Sequence, residues 1–302
     1  MLLAIGETMA MVAPIAAEPV EQAELFRVDA GGAESNVAAH VAALGQPAAW
    51  FSRLGDDALG RRVLGRIRTR GVDVSRVVVD ADHPTGLYVK DPGAGVAYYR
   101  AGSAASHLTV TDAEDLSWDA VAVLHVSGIT AALGGTAAAF LDRAVDRARA
   151  AGVLVSVDVN HRAPLWSVSA ASDPLLALAR RADIVFVGRD EAETLWNAVT
   201  PDDARVLLPE VPQLVVKDGA VGATLFAGRE RVFEPALLVD VVEPVGAGDA
   251  FAGGYLAALL AGSSAAERLR TGHARAALTM VTTGDFPDTA LSPAPSSERN
   301  PR

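Results

Sequence analysis

The chain has 302 residues, 50% of them hydrophobic and 21% charged, with no cysteine and a formal net charge of −11. That length suits one large α/β domain or two small ones and leaves ample material for a core. The absence of cysteine excludes disulfides, thiolate metal sites and cysteine nucleophiles, and the acidity, with no basic run outside Arg61–Arg70, argues against a nucleic-acid partner.

The predicted elements follow in chain order. Leu2–Ile5 reads as a short buried strand. Met1–Ile5 is too short for a membrane span and lacks the basic flank of a signal peptide, so no membrane partner and a cytoplasmic location are expected. Met9–Ala30 is strand-like with turns and leads into a helix at Glu34–Leu44, which Gly45 can stop. Ala48–Ser52 is the next strand and Ala58–Thr69 the next helix. The arginines of Arg61–Arg70 read as the solvated face of that amphipathic helix. Thr85–Lys90 and Gly95–Arg100 flank Asp91-Pro92-Gly93, a hairpin turn signal. Together with the earlier strand-like stretch they predict a small β lid, formed by about 9–30 and 84–101.

Beyond the lid, Thr111 and Glu114 have capping-box spacing, as do Ser264 and Glu267. Strands are expected at Val121–Val126, Val153–Val157, Ile184–Val187 and Leu214–Val216. Helices are expected at Thr136–Ala150, Glu191–Asn197, Gly248–Leu260 and Ala265–Thr282. Apolar strands alternating with helices predict an α/β domain: a mainly parallel sheet covered on both faces. Residues 1–285 read as one domain. The tail 286–302, with four prolines and no periodicity, is expected to be poorly ordered.

One run carries chemistry: Glu243-Pro-Val-Gly-Ala-Gly-Asp249, between an apolar stretch and a helix. Gly246, Ala247 and Gly248 can aim backbone amides at one spot at the positive end of that helix, where a phosphate or a developing oxyanion is held. Asp249 lies beside that spot. A carboxylate there suits phosphoryl transfer to an alcohol, which needs a group to orient the hydroxyl and take its proton. The plain alternative is a glycine-rich cap with a favourable acid on the helix dipole. The P-loop, dinucleotide, protein-kinase, zinc-hydrolase and serine-hydrolase motifs are absent.

Other candidates surround it. Gly31 and Gly32 before a helix would let a polyol approach the backbone, and Asn36 could bond a hydroxyl. Strand alternation sends Tyr98 and Arg100 to one face of the lid, where the planar fork of an arginine matches a carboxylate. Asn160 and Arg162 follow a parallel strand, where loops meet the binding crevice. A solvated strand arginine, a tight turn and a loop salt bridge are the plain alternatives.

The Glu243–Tyr255 run resembles the C-terminal signature of the pfkB/ribokinase-like carbohydrate kinase family. Gly31-Gly-Ala-Glu-Ser-Asn36, Leu44-Gly45, Arg53-Leu-Gly-Asp-Asp57 and Gly60 resemble its N-terminal signature. The runs from Tyr98, Leu124 and Asp158 are similar to the 2-keto-3-deoxygluconate kinase branch. That resemblance implies a ribokinase-like fold with a β lid and phosphorylation of a sugar acid by ATP. It implies Gly32, Tyr88, Tyr98, Arg100 and Arg162 on the sugar acid, Asp249 as base and Asp285 near the substrate. Lys217, Gly219, Gly222 and Gly246–Gly248 fall on the nucleotide side. Mg²⁺ is implied, supported through water by Glu191, with a monovalent cation and a homo-oligomer as further expectations. The chain departs from the family pattern at Glu243, usually a shorter acid, and at Gly188, usually an asparagine. Fructokinase, ribokinase and nucleoside kinase activities remain as alternatives, as does a sugar sensor without catalysis.

Overall fold

The structure, a computed structural model, describes residues 1–16, 18–282, 284, 286 and 287. Asp285 and the tail from 288 onward therefore lie outside the described residues.

The chain begins β1 (Leu2–Ile5), β2 (Met9–Pro14), β3 (Phe26–Gly31), α1 (Ala33–Ala43), β4 (Ala48–Phe51), β5 (Arg53–Gly55), α2 (Ala58–Thr69) and β6 (Val78–Asp80). It continues β7 (Leu87–Asp91), β8 (Gly95–Tyr99), α3 (Val110–Asp115), β9 (Val123–Ser127), α4 (Gly128–Ala132), α5 (Gly135–Ala150), β10 (Leu154–Asp158) and α6 (Val168–Arg180). The last third runs β11 (Ile184–Gly188), α7 (Arg189–Trp196), α8 (Pro201–Leu207), β12 (Gln213–Asp218), β13 (Gly222–Ala227), β14 (Glu230–Pro235), α9 (Ala247–Leu260) and α10 (Ala265–Met280).

The main sheet has the order β14-β13-β12-β11-β10-β9-β1-β4. Pairing is parallel from β4 to β12 and antiparallel across β12, β13 and β14. The strands are apolar on both faces because both faces are covered. In β1, Leu2 and Ala4 pack with α1, α2, α9 and α10, while Leu3 and Ile5 pack with α3, α5, α6 and α7. Side chains that alternate along a strand feed two separate cores.

A second sheet, β3-β2-β7-β8, is the expected lid. It is tied down from the side by arginines near α2. Arg66 and Arg70 both pair with Asp29 of β3, and Arg62 donates to the Val28 carbonyl at 2.9 Å. The basic run is thus not simply a solvated face: part of it anchors the lid.

One capping expectation is corrected. The capping box at α3 is built from Thr109 and Asp112, not Thr111 and Glu114. Asp112 accepts from the Thr109 amide at 2.7 Å and is also gripped by Arg53. The segment after β14 stays irregular although it is apolar, and Leu238 is 92% exposed. Among the described residues no helix is long and apolar enough to cross a membrane.

Candidate active site

The chemistry gathers where the parallel strands end, because loops leave the sheet there and open a crevice. β1 delivers Glu7, β9 delivers Ser127, β10 delivers Asp158 and β12 delivers Lys217. α9 points its N-terminus at the same region.

The turn before α9 depends on Gly246, whose φ of 86° is left-handed and disfavours any side chain with a Cβ. The expected cradle of three residues is narrower in the structure. The Ala247 amide closes a turn onto the Pro244 carbonyl at 3.2 Å. The amides of Gly246 and Gly248 have no acceptor among the described residues. Those two amides and the dipole of a 14-residue helix leave a site for an anion.

Two cavities meet at this turn. One, of about 410 Å³, lies under the lid and is lined by Gly31, Gly32, Asn36, Tyr88, Tyr98, Arg100, Arg162, Gly246 and Asp249. The other, of about 420 Å³, is lined by Lys217, Gly219, Gly222, Ala247, Gly248, Phe251 and the exposed loop 236–241. The structure therefore brings together most residues expected to hold sugar on one side and most of those expected to hold nucleotide on the other, with Gly246 on the first cavity rather than the second. Asn160 lines neither cavity; it is buried with φ 42° and turns the chain between Asp158 and Arg162.

Within the first cavity several residues have tasks other than those expected. Asn36 donates from Nδ2 to Asp249 Oδ2 at 3.0 Å, so its donor orients the carboxylate rather than a sugar. Its Oδ1 is buried without a partner. Gly32 has extended backbone open to any residue, but an added Cβ would lie 2.5 Å from the Glu7 carbonyl oxygen. Close packing of α1 onto the strand turn therefore accounts for that glycine. Tyr88 and Tyr98 face each other across the lid strands, with ring centroids 5.9 Å apart.

Arg100 is neither solvated nor free. Its Nε donates to Glu7 Oε2 at 2.7 Å, Nη2 joins the same oxygen, and Ser103 donates to Glu7 Oε1 at 2.5 Å. Glu7 is buried, so a charge that would be costly alone is met by a charged donor and a hydroxyl. Arg162 differs. It is exposed and lines the cavity, and its guanidinium has no hydrogen-bond or ion-pair partner among the described residues.

Beneath α1 lies another acid. Glu34 is buried against Gly6 and accepts from Ser127 Oγ at 2.6 Å and Thr130 Oγ1 at 3.4 Å. Burial pushes its carboxyl up to about 7, against the pull of those hydrogen bonds. It ties α1, which carries Asn36, to the start of α4, whose Ile129 lines the cavity.

Lys217 sits under the anion turn: a Cβ on Gly248 would be 3.6 Å from its Nζ. It donates to Asp158 Oδ2 at 2.8 Å. Burial pulls its ammonium down, but the charges of Asp158, Glu191 and Asp249 outweigh this and hold it above the ordinary lysine range. Glu191 accepts from the Gly188 and His161 amides at 2.8 and 2.9 Å. Burial and the neighbouring Asp158 charge push its carboxyl up.

No cluster of three or more metal-ligating side chains occurs among the described residues. Asp158 Oδ1 is nevertheless buried without a partner. An acceptor beside Glu191, with no complete protein cage, fits a hydrated Mg²⁺ carried mainly by phosphate oxygens. Backbone bonds from the Gly188 turn place Glu191, so the missing asparagine does not displace it.

Sequence reasoning passed over Glu7, Asp158 and Lys90 as site residues. Asp158 could have been found from its place at a parallel strand end. Glu7 and Lys90 carry no local signal, because their partners, Arg100 and Glu243, lie far away in sequence.

The sequence profile of the pfkB family carbohydrate kinase matches residues 1–288. The 2-dehydro-3-deoxygluconokinase of Bacillus subtilis (strain 168) is 37% identical over 93% of this chain and 90% of its own length. The 2-dehydro-3-deoxygalactonokinase of Haloferax volcanii is 34% identical over 94% of this chain and 92% of its own. A crystal structure of a PfkB protein from Polaromonas sp. JS666 superposes with a TM-score of 0.84 at 35% identity, covering 91% of this chain and 94% of that one.

Proposed function

This chain belongs to the pfkB family of carbohydrate kinases, and we propose that it transfers the γ-phosphoryl group of ATP to the 6-hydroxyl of a sugar acid, 2-keto-3-deoxygluconate or its galactonate-derived epimer. The observation that carries this reading is the shared turn. Asp249 stands on the sugar side of the α9 N-terminus and Gly248 on the nucleotide side, so both reactants can meet there.

Asp249, oriented by Asn36, accepts the hydroxyl proton as the new O–P bond forms and the bond to the departing ADP breaks. The free amides of Gly246 and Gly248 and the Lys217 ammonium stabilise charge on the transferring group. Mg²⁺, when bound, would supply further neutralisation of the phosphates, and Glu191 and Asp158 are the residues that would hold it. Arg162 holds the substrate carboxylate, since it is the unpaired cation of the cavity and the molecule as a whole repels anions.

The saturation of Arg100 by Glu7 favours a second reading, a neutral sugar such as fructose. A panel of sugar acids and neutral sugars with coupled ADP detection decides. The sugar acids should give the highest kcat/KM; a neutral sugar ahead of every acid overturns the carboxylate assignment.

A further inference from the structure

A charged pair joins the lid to the loop before the glycine turn. Lys90, on β7, places Nζ 3.7 Å from Glu243 Oε2, in the loop that leads into α9. Lys90 is 8% exposed and forms part of the wall of the sugar cavity. It also lines a separate cavity of about 460 Å³ between the lid hairpin and Val242–Val245. Lys90, Val96 and Val245 line both cavities, so the pair lies at the wall between them.

Glu243 is itself fixed. Its Oε1 accepts from the Val245 amide at 3.1 Å, and the Val242 and Glu243 amides bond the Met280 carbonyl at the end of α10, at 2.8 and 3.2 Å. Val245 lines the sugar cavity and precedes Gly246 directly. A movement of the lid that shifts Lys90 is therefore passed through one carboxylate to the residues that set the cradle. Glu243 carries one methylene more than the aspartate expected at this position, which gives its carboxylate added reach.

We propose that Lys90 and Glu243 form a strap that couples lid position to the geometry of the phosphate-binding turn, acting as positioning residues that favour transfer to the sugar over transfer to water. This rests on the kinase reading given above. Neither side chain takes a proton or forms a bond in the reaction. Their work is to keep the turn in its transfer geometry while the lid is down and to exclude water at that wall.

Contact is tested first, without reference to activity. Carbodiimide treatment of the whole native protein joins an ammonium to a carboxylate only where the two meet, and peptide mass spectrometry should find an isopeptide link between residues 90 and 243. Absence of that link, with other surface pairs coupled, overturns the strap. Kinetics follow on Lys90→Met, Glu243→Gln and the double variant. Each single change should lower kcat/KM for the sugar roughly 10-fold and leave KM for ATP within about 2-fold, and the double should be no worse than either single. The fraction of ATP spent on water should rise, and Lys90→Arg should restore it. Independent, multiplying losses in the double variant, or equal losses against both substrates, overturn the proposal. Wild-type protein that phosphorylates no sugar acid sinks the substrate reading instead, while the cross-link and the water fraction still judge the strap.

Discussion

At the scale of single residues, the site divides into groups that face the cavity and groups already spent on one another. Asp249 has one oxygen on Asn36 and faces the cavity. Asp249→Asn should keep the fold, by an unchanged thermal midpoint, and lose at least ~10²-fold in kcat. Near-normal turnover would remove it from the role of base. The arginines separate by the same logic. Arg162→Leu should raise KM for a sugar acid about 10-fold or more and leave KM for ATP nearly unchanged, because the carboxylate loses a charged bidentate donor. Arg100→Leu should act on stability as well. It strands the buried Glu7 carboxylate at a cost of about 3–5 kcal/mol. Adding Glu7→Gln should recover much of the lost midpoint; no recovery would show that Glu7 is not the cause.

At the scale of elements, α9 and α1 together hold the groups of the proposed reaction. α9 aims its dipole, and its start depends on a backbone conformation that only glycine adopts cheaply. Gly246→Ala should cost about 1–2 kcal/mol through the left-handed φ and lower kcat through the disturbed cradle. An unchanged midpoint in chemical denaturation would contradict that. α1 holds Asn36 and, two residues earlier, the buried Glu34. Because the folded Glu34 carboxyl lies up at about 7, folding favours its protonated form. That contribution is complete below the ordinary glutamate range and is lost as pH rises through about 7. Wild-type stability should therefore decline across that window by an amount that Glu34→Gln, which keeps an uncharged polar group, does not show. Parallel pH profiles of the two proteins would exclude the effect.

At the scale of the whole molecule, local pattern and long-range contact contributed different things. Most of the flanking helices, though not α6 or α8, the parallel strands and the small second sheet were legible in the sequence, because two-faced burial writes continuous apolar strands and a hairpin writes Asp91-Pro92-Gly93. The antiparallel edge β13–β14 escaped notice: its outer strand is largely exposed and its apolar residues are scattered among charges. The glycine turn and Asp249 could be read locally because a helix start and its neighbours lie within seven consecutive residues. The pairing of Glu7 with Arg100, of Asp158 with Lys217 and of Lys90 with Glu243 could not, since each joins residues separated by more than fifty positions. The sequence by itself determined the layered α/β architecture and marked the turn at which we propose phosphoryl transfer, both products of short-range periodicity and backbone chemistry. Only the tertiary structure decided which cation stays free for a substrate, because a charge is neutralised by whatever folding brings within a few ångströms, and chain order does not record that distance.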